Sequence, residues 1–326
     1  MPPARAPARS ALTAVGLAQT LAAVARAHRD RFTYACRVSR PLRGLIALIV
    51  ACAAACSKPA DPAASAPART LRLSMIPTTD PGKLAREAEP LVAYLEARTG
   101  LKIELTVPLN YAAVVEAFGA GKVDVAFFGG FTYVQAHKRF DAQPLVQRER
   151  DQAFHSLFIA RAGSPIASLA DLNGRSFAFG DVNSTSGHLM PEYFLRQAGV
   201  EPGVIAHAIY TGGHDATALA VANGKVDAGA LDEAVFQKLT KDGKLDASKL
   251  VVFHTTPAFF DYVWCARKAL DPALATAFSE AMIALDPADP KHQQVLALLQ
   301  ATRYVVADDA NYDKLREAAT AAGLLR

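Results

Sequence analysis

Two distant stretches of the chain, Tyr111 to Phe128 (YAAVVEAFGAGKVDVAFF) and His214 to Leu231 (HDATALAVANGKVDAGAL), align without a gap and share Gly-Lys-Val-Asp ahead of an apolar run. Each reads as a helix closed by a glycine, Gly121 or Gly224, then a turn and a buried strand. Such an echo points to two similar α/β lobes; the plainer alternative is that any two strand–helix–strand units look alike. On the two-lobe reading, Tyr111 and His214 open equivalent helices and face each other across a cleft. Helix N-termini in such sheets point beyond the carboxyl ends of the strands, where ligands bind.

The rest of the folded region supports this. LRLSMI, KIELTV, VDVAFF, SLFIA, SFAFG, VDAGAL, LVVFH and DYVWCA read as strands between helical patterns. Leu84, Ala88, Leu91 and Leu95 share one helical face that ends at Gly100. The alternation predicts α/β layers with mostly parallel sheets, and 326 residues at 51% hydrophobic content supply more than one ordinary core.

The N-terminal part stands outside that pattern. RPLRGLIALIVACAAACSKP carries basic residues, a short apolar run and small residues ending at a cysteine, so residues 1–55 read as a leader with an export signal. The apolar run is too short to span a bilayer. Ala53, Ala54, Ala55 and Cys56 resemble a bacterial lipobox, making Cys56 the expected lipidated residue, although Cys52 fits the same pattern. Residues 1–37 are Ala- and Arg-rich and are expected to be a misplaced start, with Val38 as initiator. Residues 56–69, rich in Pro, Ala and Ser, suit a flexible tether.

Removing the leader reverses the charge. Residues 1–55 hold 8 of the 35 basic side chains and 1 of the 31 acidic ones, so a formal +4 becomes about −3, and nothing basic suggests nucleic-acid binding. Only Cys265 remains in the folded region, which excludes a disulfide framework and a cysteine metal site; it reads as a small buried apolar residue. The histidines show no metal-ligand spacing, so no metal and no cofactor are expected.

Candidate chemistry sits at helix beginnings. Ser184, Thr185 and Ser186 follow the strand SFAFG and precede HLMPEYFLRQAG, where unpaired backbone N–H groups and the helix dipole favour an anion. Simple capping needs one hydroxyl, not three. His214 follows Gly212 and Gly213, which let backbone approach closely, and Tyr111 offers a phenol in the matching place of the other lobe. Asp261 stands among Phe259, Phe260, Tyr262 and Trp264, where a carboxylate needs a partner: either a nearby arginine such as Arg267, or a ligand carrying a proton. Tyr133 follows Gly129 and Gly130 in the first lobe and is a further candidate. Asp232 and Glu233 end another strand, lining the cleft or simply solvated. No Walker loop and no dinucleotide glycine spacing is present.

GDVNSTSGHLMP, GGHDATALAVANGKVDA, FGGFTYV and the lipoprotein-like leader together resemble the substrate-binding proteins of phosphate/phosphite/phosphonate ABC importers, over roughly residues 70–305. The resemblance implies a type II periplasmic binding protein: two α/β lobes joined by two hinge strands, with residues 70–160 plus 262–326 in lobe 1 and 161–261 in lobe 2. It implies Tyr111, Ser184, Thr185, Ser186 and His214 as ligands of a small phosphorus oxyanion, with Asp261 as the acidic partner. A further family tyrosine falls at Phe154, removing one hydroxyl, for which His155 or Tyr133 is a substitute. The implied function is non-enzymatic capture of phosphonate or phosphite by a lipid-anchored monomer, in the periplasm or on the outer side of the cytoplasmic membrane, for an ABC permease. Two alternatives stay open: an exported sensor module for the same ligands, and a phosphate-ester hydrolase using Ser184 or Ser186 with His214, disfavoured by the lack of a Gly-x-Ser-x-Gly elbow.

Overall fold

The computed structural model describes residues 69–325, so the leader, Cys52 and Cys56 lie outside it. Its strands are β1 (Thr70–Met75), β2 (Lys102–Thr106), β3 (Val125–Phe128), β4 (Gln143–Arg148), β5 (Ser156–Arg161), β6 (Ser176–Phe179), β7 (His207–Tyr210), β8 (Ala228–Asp232), β9 (Leu250–Thr255), β10 (Val263–Ala266) and β11 (Tyr304–Val306). They form two sheets, in the orders β11-β4-β10-β3-β1-β2 and β7-β6-β8-β5-β9. The helices α1 (Pro81–Glu87), α2 (Glu89–Thr99), α3 (Tyr111–Gly119), α4 (Gly130–Phe140), α5 (Met190–Gln197), α6 (His214–Ala222), α7 (Glu233–Lys241), α8 (Pro272–Ile283), α9 (Pro290–Leu299) and α10 (Asp313–Ala321) connect them.

The echo is structural. Helices α3 and α6 are followed by Gly121 at φ 69° and Gly224 at φ 67°, left-handed values that favour glycine. The strands that follow, β3 and β8, pair in parallel with β1 and β6. The shared aspartate does the same work in each lobe: Asp124 accepts from the Arg72 backbone N–H at 3.0 Å and Asp227 from that of Ser176 at 2.8 Å. Asp124 also takes the side chains of Arg72 and Arg267, so Arg267 is committed there and is not the partner of Asp261.

The sheets are mixed rather than mostly parallel. β1–β2, β1–β3, β6–β7 and β6–β8 are parallel, whereas β10 runs antiparallel to β3 and β4, β11 to β4, and β5 to β8 and β9. Part of the reason is the crossing: β5 and β10 each enter their sheet from the other lobe and run against their neighbours, while β11, antiparallel to β4, runs in the direction of β10. β5 belongs to the second sheet, so the first crossing falls between Arg148 and Ser156, earlier than the expected boundary after residue 160. The second runs between Thr255 and Val263, which places Asp261 in a crossing segment rather than in lobe 2. The crossings pair: Phe154 and Phe259 exchange backbone hydrogen bonds of 2.9 and 3.0 Å, and the Asp261 N–H donates to the Asp151 carbonyl at 3.0 Å.

The helical face of Leu84, Ala88, Leu91 and Leu95 is buried as expected, each leucine contributing roughly 1.5–3 kcal/mol. It is carried by two helices instead of one, because Pro90 opens α2 just past Ala88.

Candidate functional site

After β6 the chain enters a loop in which Ser184, in extended backbone, accepts from the Gly187 N–H at 3.0 Å and so caps the following turn. That turn, Thr185–Leu189, is a π-type turn closed by Leu189 N–H to Ser184 O at 3.0 Å, and α5 starts only at Met190. Such turns recur at functional sites. All three hydroxyl residues are buried, and each does something different. Thr185 Oγ1 accepts from the Phe131 N–H at 2.9 Å, reaching from the second lobe to the start of α4 in the first. Ser186 Oγ has no hydrogen-bond partner within the protein.

His214 is the first residue of α6 and is fully buried. Its Nδ1 lies 3.2 Å from the backbone N of Asp232, and since that N–H can only donate, Nδ1 accepts. The neutral ring therefore carries its proton on Nε2, which lies 3.4 Å from the Tyr111 hydroxyl. Burial holds the imidazole below its ordinary pKa, against the nearby carboxylates of Asp232, Asp215 and Asp181. The Asp232 side chain is itself occupied, accepting from the Tyr262 hydroxyl at 2.7 Å and from Val235 N–H at 2.8 Å.

Tyr111 opens α3 behind the cap residue Asn110, whose side chain accepts from Ala113 N–H. Its backbone N–H reaches Asp181 of the second lobe at 3.4 Å, while the His214 N–H donates to Thr78 O of the first at 3.1 Å. The two equivalent helix starts thus meet across the cleft. Burial raises the phenol's pKa far above its ordinary value, so it stays a neutral donor; the charges of Asp181, Asp232 and Asp261 act in the same direction.

Asp261 closes the cluster from the crossing segment. One oxygen accepts from the Gly130 N–H at 2.9 Å; the other, Oδ2, is buried without a partner. Burial pushes this carboxyl up to about 7, against hydrogen bonds from Gly130 and Thr185 that favour its charged form. A methyl group on Gly129 would lie 3.1 Å from Thr185 Oγ1 and 3.4 Å from Asp261 Oδ1, which shows how closely the parts converge.

Tyr133 is not among these groups. Its hydroxyl donates to Asp309 and its ring packs on Tyr312 and His137, so the helix face it occupies looks away from the cluster. Phe154 sits in the first crossing against Phe259 and Tyr262. His155 is tied to the Thr256 carbonyl, and Glu233 lies 3.7 Å from Arg150. Cys265 is buried, and burial pushes its thiol well above the ordinary value. Among the described residues no group of three or more His, Cys, Asp and Glu is placed to hold a metal ion.

Sequence reasoning missed several contributors: the amides of Gly130 and Phe131, the Asp232 N–H that sets the histidine tautomer, and the Asp181 carboxylate. Only the Gly-Gly before α4 signalled any of them. None of the hydrogen bonds within the cluster involves a lysine or arginine; buried Arg148 is held bidentately by Asp151.

Two mixed α/β lobes, joined by paired crossing segments and meeting around a buried polar cluster at the carboxyl ends of their strands, define a type II periplasmic binding protein. The family described as "ABC transporter, phosphonate, periplasmic substrate-binding protein" matches residues 73–312, and the chain belongs to it. A probable ABC transporter phosphite binding protein of Prochlorococcus marinus is 31% identical, over 76% of this chain and 88% of its own. The phosphate-import protein PhnD of Mycolicibacterium smegmatis is 35% identical over 70% of this chain and 75% of its own. The structure of the Prochlorococcus protein in complex with methylphosphonate superposes with a TM-score of 0.75 at 30% identity, covering 78% of this chain and 99% of that one.

Proposed function

We propose that this chain captures a small phosphorus oxyanion, phosphonate or phosphite, for import by an ABC permease, with Tyr111, Ser184, Thr185, Ser186, His214 and Asp261 as its ligand groups. The observation that carries the reading is the convergence of neutral donors from two separate lobes on one buried cluster. Such donors, aimed in advance and shielded from water, hold an oxyanion without a lysine or arginine. Asp261 Oδ2 then accepts the ligand's own proton, which favours a protonated oxyanion over a fully ionised one. We further read Cys56 as a lipid anchor holding a monomer on the outer side of the cytoplasmic membrane; mass spectrometry of the mature N-terminus tests the anchor.

The histidine tautomer argues against the hydrolase alternative. A serine nucleophile needs a histidine nitrogen free to take its proton, but Nδ1 of His214 is occupied by the Asp232 N–H and Nε2 bears the hydrogen. Aryl phosphates are accordingly expected to show no turnover. For the sensor alternative, transport of phosphite in a strain lacking this chain discriminates.

Calorimetry with phosphite, methylphosphonate, 2-aminoethylphosphonate and phosphate tests the reading. His214→Ala is expected to weaken the tightest binder by roughly 1.5–3 kcal/mol, the scale of a hydrogen bond to a charged group. Unchanged affinity removes His214 from the site.

A further inference from the structure

The His188 ring hydrogen-bonds to none of the groups assigned above, yet it lies inside the second lobe at 1% exposure. Its Nδ1 is 2.7 Å from the Val182 carbonyl, an acceptor only, so Nδ1 donates. Its Nε2 is 3.0 Å from Glu192 Oε2 in the first turn of α5 and 3.0 Å from the Tyr210 hydroxyl at the end of β7. The ring also stands edge-on to Phe179 and Tyr210, with centroids 5.2 and 4.9 Å away. Glu192 is held in place from its other oxygen by Arg196, at 2.8 and 3.1 Å.

The placement of the first bond is what matters. Val182 lies two residues before Ser184 and His188 two after Ser186, so the Nδ1 bond brackets the hydroxyl triplet and ties both of its ends together. The other nitrogen then fastens the bracket to α5 and β7. Within it the π-type turn, a rare geometry, is held by the Ser184 cap, the Leu189 N–H to Ser184 O and Met190 N–H to Thr185 O bonds, the Gly180 N–H to Gly187 O bond at 2.8 Å and the Phe131 N–H on Thr185 Oγ1, none of which ties the start of the loop at Val182 to its end.

We propose that His188 is a positioning residue for the oxyanion site: by closing the loop from Val182 to itself it fixes the backbone that carries Ser186 and, together with the Phe131 amide, Thr185, and so sets ligand affinity without touching the ligand. This rests on the binding function proposed above. A misdirected donor loses most of its contribution, because preorganised hydrogen bonds act through geometry.

Three variants separate the two ends of the ring. Asparagine reproduces the Nδ1 donor toward Val182, glutamine reproduces the Nε2 position, and leucine reproduces neither. In calorimetry with phosphite and methylphosphonate, His188→Asn is expected to stay within about threefold of the parent, whereas His188→Gln and His188→Leu fall by about tenfold or more. Equal losses for the asparagine and glutamine variants, or parental affinity in a folded leucine variant, overturn the proposal. Amide exchange in the ligand-free protein supplies a readout independent of any ligand. His188→Leu is expected to speed exchange at Gly187 and Leu189 while leaving the strand amides of Ala178 and Ala230 unchanged. Unchanged protection at Gly187 and Leu189 overturns the proposal too. Failure of the parent protein to bind either compound would instead overturn the ligand reading, with the exchange result still deciding the role of His188.

Discussion

At the scale of single residues, Asp261 carries the largest consequence. An aspartate in the unfolded chain titrates near ~3.9, while this one is pushed up to about 7 by burial. Between those values the folded protein holds a proton that the unfolded chain has released, so its contribution is complete below the lower pKa and is lost as pH rises through the upper one. In urea titrations without ligand, Asp261→Asn is therefore expected to gain roughly 2–4 kcal/mol over the parent at pH 8 and almost nothing near pH 4. An equal difference at both pH values contradicts the assignment. That Asp261 needs a partner was legible in the sequence, because the carboxylate stands among aromatics; that the partner of one oxygen is the Gly130 amide was not, since the two lie 131 residues apart. Tyr133 shows the opposite failure. Gly129-Gly130 located the right helix, but packing against Tyr312 decided which way the phenol points.

Among the elements, the turn Thr185–Leu189 shows most clearly how tightly the site is built. A methyl group on Gly187 would lie 2.9 Å from both His214 Cε1 and Ser184 Oγ and 3.1 Å from Gly180 Cα, closer than packed atoms sit. Gly187→Ala is expected to cost roughly 1–3 kcal/mol of stability, the usual range for overpacking, and to weaken oxyanion binding, as read by thermal denaturation and calorimetry. A variant with parental stability and affinity means the turn relaxes freely. Helices α3 and α6 were legible down to their first residues, because a helix-period pattern, a closing glycine and an echo all coincide there. The π-type turn was not, since its extra residue leaves no mark on composition. Strands β4, β7 and β11 also escaped notice. β4 contains Pro144, β7 exposes most of its residues at a sheet edge, and β11 has three residues; none shows the apolar alternation that announces a strand.

For the whole molecule, the crossing segments are the critical joint, and Arg148 with Asp151 is their buried fastening. Their side chains are 5% and 0% exposed, and Arg148 also donates to the Leu299 carbonyl while lying 4.7 Å from the Tyr262 ring. Removing one partner leaves a buried charge alone, so Arg148→Met is expected to destabilise by about 3–5 kcal/mol in urea unfolding, and Arg148→Met combined with Asp151→Leu by much less. Equal losses would show that the pair acts through packing alone. Amino-acid order alone was enough to reveal the repeated lobe, the helix starts, the hydroxyl triplet and the family, because each is a local pattern of side-chain type. Which lobe receives β5, how the sheets come to be mixed, and which amides meet Thr185, His214 and Asp261 were settled only by the folded arrangement. Those partners are backbone N–H groups, which nearly every residue possesses and none advertises, so their selection depends on where packing brings them.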